Sequence, residues 1–126
     1  QITIGAHTVN HHNFTCLSDE EIFQEASESK RIITEKTNQP VEHFAYPFGN
    51  RNAVGTREGA AAAKAGFKTM TTTRKANIFP GHRNHLEALP RIMLSGNYAT
   101  LSRLERYRTG AIPAKTYRFR RTVTFE

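Results

Sequence analysis

Ile4-Gly5-Ala6-His7-Thr8-Val9-Asn10-His11-His12-Asn13-Phe14 is the stretch on which the reading of this chain turns. It continues a short alternating run, Ile2-Thr3-Ile4-Gly5, that reads as a β-strand. His7 and His11 stand four residues apart, and on a helical turn positions i and i+4 share one face. The spacing therefore predicts two imidazoles pointing at one centre. Neutral imidazole suits zinc, cobalt, nickel or iron. Two histidines do not complete such a site, because a catalytic zinc takes three protein ligands and a water. The alternative is a pair of polar loop histidines. If the preceding strand lies in a parallel sheet or barrel, the loop leaves its C-terminal end, where α/β folds place their chemistry.

The string Gly5-Ala6-His7-Thr8-Val9-Asn10-His11 resembles the second motif of the polysaccharide deacetylases, the NodB-homology family or carbohydrate esterase family 4. Phe44-Ala45-Tyr46-Pro47-Phe48-Gly49 is similar to that family's third motif. Ala65-Gly66-Phe67-Lys68, Thr71-Thr72-Thr73 and Leu89-Pro90-Arg91-Ile92 resemble its later strands. The likeness runs in family order over roughly the first hundred residues. It implies an α/β chain, part of a distorted (β/α) barrel of the NodB-homology type lacking its first strands. Residues 1–112 would be the C-terminal portion of such a domain, and 113–126 a basic tail or terminal strand.

The implied activity is metal-dependent deacetylation of N-acetylated sugars or polysaccharide. His7 and His11 would be metal ligands, for zinc or else cobalt or nickel, with Thr8 shaping the loop. Tyr46, Pro47 and Phe48 would form a wall of the substrate groove; for Tyr46 and Phe48 the alternative is that of ordinary core aromatics at a strand end. The family's usual third motif has Arg and Tyr where this chain has Ala45 and Phe48, so a partner that would orient the catalytic carboxylate is missing. Arg91 is read as a ligand for a carboxylate or a sugar oxygen.

The family draws its catalytic base and its third metal ligand from an aspartate pair upstream of the histidine motif. The sequence contains one aspartate, Asp19, inside a helix cap. The expectation is therefore that no catalytic residue lies in this chain, and that the aspartates lie on a missing segment or an associated chain. The absence of an initiator methionine fits a processed, cut or partial chain. Expected partners are an N-acetylated polysaccharide or oligosaccharide, the missing N-terminal segment, or another copy. A non-catalytic carbohydrate-binding remnant and a basic nucleic-acid-binding module are the alternatives.

Ser18-Asp19-Glu20-Glu21 predicts a capping box opening a helix from about Asp19 to about Thr37, ended by Asn38 and Pro40. Ile22, Phe23, Ala26 and Ile33 make its apolar stripe, and its acids are expected to face solvent. Strands are predicted at Val41–Tyr46, Phe67–Thr73 and Leu89–Leu94, with a helix from Thr56 to Ala65 capped by Thr56 and stopped by Gly66. The strand–helix–strand order over 41–73 suggests a βαβ unit. Residues 74–88 read as a long polar loop, with His82 and His85 weighed as general acids or plain loop histidines. A last helix is predicted, capped by Asn97, running to about Thr109 and stopped by Gly110, with Leu101, Leu104 and Tyr107 on one face.

The 126 residues carry a net charge of +7, but unevenly. Residues 1–100 hold 11 Lys/Arg against 9 Asp/Glu, and residues 101–126 hold 7 against 2. The basic character is thus a property of the tail, where Tyr117, Phe119, Val123 and Phe125 alternate with basic residues. That pattern suits a half-buried strand as well as single-stranded nucleic acid, and no nucleic acid is expected. No apolar run is long enough to span a membrane. The lone Cys16 excludes an internal disulfide and is expected to be half-buried. A bacterial envelope, extracellular or cytoplasmic location is left open.

Overall fold

The computed structural model describes residues 2–93, 96, 100–111 and 120–125. At its centre lie two short parallel strands, β1 (His43–Ala45) and β2 (Thr69–Thr71), paired in the register His43–Thr69, Phe44–Met70, Ala45–Thr71. Single parallel bridges extend the pairing on both sides, Ala6 to Phe44 and Thr71 to Leu89. Four segments therefore stand side by side in chain order. Helix α1 (Asp19–Thr37) connects the first to the second, and α2 (Thr56–Ala63) the second to the third.

The predicted strands shorten to those residues that find a partner. Residues 2–5 carry no strand, and only Ala6 joins β1: its N–H donates to His43 O at 2.8 Å, and Ala45 N–H donates back to Ala6 O at 3.0 Å. Gly5 permits the approach, since a β-carbon there would stand 3.0 Å from His43 O. Of the predicted fourth strand, Leu89 makes the bridge and Leu94 lies outside the described residues.

Helix α1 forms over its predicted span because both ends are chemically marked. Ser18 Oγ accepts from Glu21 N–H, and Glu21 Oε2 accepts from Ser18 N–H at 2.7 Å. Asn38 closes the other end in the left-handed conformation, φ 51°. The buried side is Ile22, Ala26 and Ser29, with Phe23 and Ile33 half-buried. Helix α2 stops at Ala63, short of Ala65, and its cap is Gly55, not Thr56, which is its first residue. Gly55 N–H donates to Glu58 Oε2 at 2.7 Å.

The two helices pack on each other. Arg57 of α2 reaches Asp19 at 2.6 Å, and Lys30 of α1 donates to Ala65 O and Gly66 O while lying over the Phe67 ring. Beneath them Phe14, Phe44, Tyr46, Ile22, Val54 and Met70 form the core. Cys16 is exposed, in a short 3-10 turn, rather than half-buried.

Residues 74–88 are not one loop. They contain two 3-10 turns, Pro80–Asn84 and Leu86–Ala88, of which the second packs beside β2 and α2 and the first against the second. Helix α3 (Leu101–Arg108) is shorter than predicted and is capped by Thr100 Oγ1; Asn97 lies outside the described residues. Of its predicted apolar face only Tyr107 is buried, and Leu101 and Leu104 are exposed.

Residues 113–119, with Tyr117 and Phe119, lie outside the described residues. Residues 120–125 form no strand but run against the core, with Val123 buried and Phe125 packed on it. Arg74 lies over the Phe125 ring and donates to Phe125 O at 3.3 Å. Among the described residues, no helix is long and apolar enough to cross a membrane.

Candidate functional site

The parallel bridges align the C-terminal ends of all four segments at one edge. His7 follows Ala6 there, Tyr46-Pro47-Phe48 follows β1, Thr72-Thr73 follows β2, and Pro90-Arg91 follows Leu89. The topology thus gathers, at one edge, most of the residues singled out in the sequence.

His7 Nδ1 lies 2.6 Å from Ala45 O, so the Nδ1 proton is donated to that carbonyl. The bond fixes the ring and its tautomer, leaving the Nε2 lone pair for another partner. The His11 ring meets the His7 ring edge-on, with centroids 4.8 Å apart. The Phe48 ring in turn stands 5.0 Å from that of His11. All three rings are exposed.

The histidines converge, but not through a helical turn. Residues 7–13 are irregular, with Thr8 at φ 67° and His11 at φ 56°. A helix needs negative φ throughout, so the i, i+4 argument gives the right pairing for the wrong reason. Phe48 also adopts positive φ, 58°. Three of the four non-glycine residues in this region of conformational space, among those described, therefore surround the two imidazoles. Such strain costs about 1–3 kcal/mol per residue and survives only where the surroundings enforce it.

The enforcing contacts are visible. Thr8 Oγ1 accepts from His11 N–H at 3.0 Å. Glu25, on α1, accepts from the N–H groups of Val9 at 3.0 Å and Asn10 at 2.9 Å through Oε2, and from the Asn10 side-chain amide through Oε1. Partial burial alone would raise the Glu25 carboxyl, but the Asn10 and Val9 donors, with a smaller contribution from His12, hold it below the usual carboxylate range. The sequence pattern by itself puts Glu25 among the solvent-facing acids of α1. The available signal was its position: three residues after Ile22 and four before Ser29, on the border of the buried side.

The other assigned residues separate by burial. Tyr46 is fully buried, donating its hydroxyl to Glu87 O at 2.7 Å, and its ring touches those of Phe14, Phe44 and Phe125. It therefore takes the core role of the two considered. Burial, followed by the Glu87 charge, pushes its phenol pKa up. Pro47 is also buried, so Phe48 alone of the three faces outward at the edge. Arg91 is exposed, its backbone N–H bound to Arg74 O.

His82 is no exposed loop residue but sits in the Pro80–Asn84 turn. It is 1% exposed, and its Nε2 accepts from Val123 N–H at 3.2 Å. His85 stands 3.6 Å from Glu87, and Asp19 is engaged with Arg57.

His7 and His11 together suit the imidazole half of a divalent-metal site. The first ring is oriented by its outer hydrogen bond, and the second is in contact with it. Among the described residues, no group of three or more His, Cys, Asp or Glu gathers to hold an ion. Two imidazoles fall short of the ligand number a catalytic zinc needs.

The model of the polysaccharide deacetylase family matches residues 1–70. No curated protein matches the chain. Among solved structures, the deacetylase PplD of Streptococcus pyogenes, determined in complex with acetate, is similar with a TM-score of 0.67 and 27% identity, over 82% of this chain and 43% of that one. A polysaccharide deacetylase of Bacillus cereus gives 0.70 at 22% identity, over 83% and 31%. A Bacillus anthracis protein described as a candidate polysaccharide deacetylase gives 0.64 at 25%, over 82% and 30%. The chain thus spans less than half the length of the structures it resembles.

Proposed function

The chain belongs to the polysaccharide deacetylase family, and from that premise we propose that it supplies the imidazole half of a metal-dependent centre removing acetyl groups from N-acetylated sugars in a polysaccharide. The observation that carries this reading is the His7–Ala45 bond, which turns one imidazole toward the other and leaves its Nε2 free. His7 and His11 would hold a divalent cation, zinc or else cobalt or nickel. Such a cation polarises an acyl carbonyl and activates water. The third ligand and the carboxylate base come from outside the described residues, as the single aspartate is engaged with Arg57.

Phe48 lines the approach and offers its exposed face to a sugar ring, while Tyr46 and Pro47 support it from below. Arg91, at the same edge, is the cation for a sugar oxygen or a carboxylate. The consecutive order of the four parallel segments agrees with one sector of a distorted (β/α) barrel whose first strands lie elsewhere. A chain of this kind binds metal weakly alone and turns nothing over.

Titration with Zn²⁺ or Co²⁺ tests the reading. His7→Ala and His11→Ala each abolish binding; unchanged affinity in both overturns it. Acetate released from N-acetylglucosamine oligomers by the chain alone contradicts the external base.

A further inference from the structure

We infer that Glu25 is the positioning residue of the His7–His11 loop, and that its carboxylate, anchored on α1, sets the place of the second imidazole. The inference rests on the metal reading for its consequence, but not for its geometry. Two separate anchors hold the loop. The first imidazole is fixed by the Ala45 carbonyl, a sheet residue, independently of α1. The second lacks such a bond among the described contacts. The Thr8–His11 hydrogen bond is internal to the loop and ties it to nothing else. The Phe48 ring lies alongside but offers no directional bond.

What joins the middle of the loop to the fold is Glu25, through three donors on Val9 and Asn10. Those two residues lie between the positive-φ residues Thr8 and His11, at the point where the backbone must be held for its strain to persist. The chemistry requires a carboxylate. All three partners donate, and an ionised carboxylate only accepts, whereas an amide turns an NH₂ toward one of them. Among the described contacts Glu25 bonds to Val9 and Asn10 and to neither imidazole, so its effect is on geometry, not on electron donation to an ion.

Glu25→Gln and Glu25→Ala, with Glu28→Gln as control, are compared by NMR of the metal-free chain and by Zn²⁺ titration, alongside His7→Ala. Glu28 pairs with Arg31 on the same helix. Loss of Glu25 removes the NOEs between the His7 and His11 rings, while those between Phe44 and Tyr46 persist. Zn²⁺ affinity falls roughly 10–100-fold, as for supporting groups behind metal ligands. Glu28→Gln changes neither. Wild-type ring contacts and affinity in Glu25→Gln overturn the proposal. If His7→Ala leaves Zn²⁺ affinity intact, the metal reading fails by itself. The ring contacts then decide the role of Glu25 alone.

Discussion

Gly59 and Phe125 meet so closely that a β-carbon on the glycine would lie 2.2 Å from the phenylalanine ring. Helix α2 carries a slot at this position, and residues 120–125 fill it. Gly59→Ala improves helix propensity by about 1 kcal/mol, but it displaces a half-buried ring, and overpacking of this kind costs about 1–3 kcal/mol. The expected net result is a loss of about 1 kcal/mol. In a Phe125→Ala background the same substitution becomes stabilising by about 1 kcal/mol, because only the helix gain remains. Urea unfolding of the four proteins checks the change of sign. Equal effects in both backgrounds would show that the contact does not matter.

The turn presenting Phe48 depends on the next residue. Gly49 has φ 62°, and a β-carbon there would meet the Thr73 backbone nitrogen at 2.8 Å. Backbone cannot swing aside as a ring can. Gly49→Ala is expected to cost about 1–3 kcal/mol and to shift Phe48 away from His11. Thermal unfolding gives the first quantity, and chemical-shift changes at the His11 ring give the second.

His82 and His7 make opposite predictions. His82→Phe leaves the Val123 N–H buried without its acceptor, and is expected to cost about 1–3 kcal/mol. His7→Ala changes an exposed ring and should alter stability by less than about 0.5 kcal/mol. It should nonetheless remove divalent-metal binding. Denaturation curves paired with Zn²⁺ titration separate the two. Strong destabilisation by His7→Ala would show that the loop is structural.

Glu58 links the α2 cap to pH. Its burial raises the carboxyl pKa, but the Gly55 and Glu58 N–H groups and Arg57 more than reverse this, so the folded value lies below the ordinary one. A depressed carboxylate contributes stability that is present above the unfolded value, about 4.3, and is lost as pH falls through the folded value. Glu58→Gln is therefore less stable than wild type at pH 7, and the gap narrows below about pH 4. Unfolding at several pH values measures the gap. A constant difference down to pH 3 would rule out the carboxylate as its source.

The legible parts of this protein are those whose partners are close in the chain. The Ser18–Glu21 capping box spans three residues and is formed as written. Asn38 ends α1 where its neighbours Pro40 and Gln39 break the pattern. The pairing of β1 with β2 follows from two apolar runs separated by one helix. The strands are shorter than their local pattern predicts because each residue's pairing depends on a neighbour that the pattern does not name.

The candidate site was half legible. Residue type and spacing mark His7 and His11 as a candidate pair, and the motif order around them points to the family. Their convergence is another matter. It depends on Ala45, 38 residues away, and on Glu25, 15 residues from Asn10. Tyr46 and Phe48 are both aromatic and two residues apart, yet one is sealed in the core and the other is exposed beside His11. By itself, the sequence determined which side chains have the chemistry to bind a cation, because that is a property of each residue. Only the tertiary structure decided which of them meet, because bringing distant segments together requires the packing of α1 and the parallel strands.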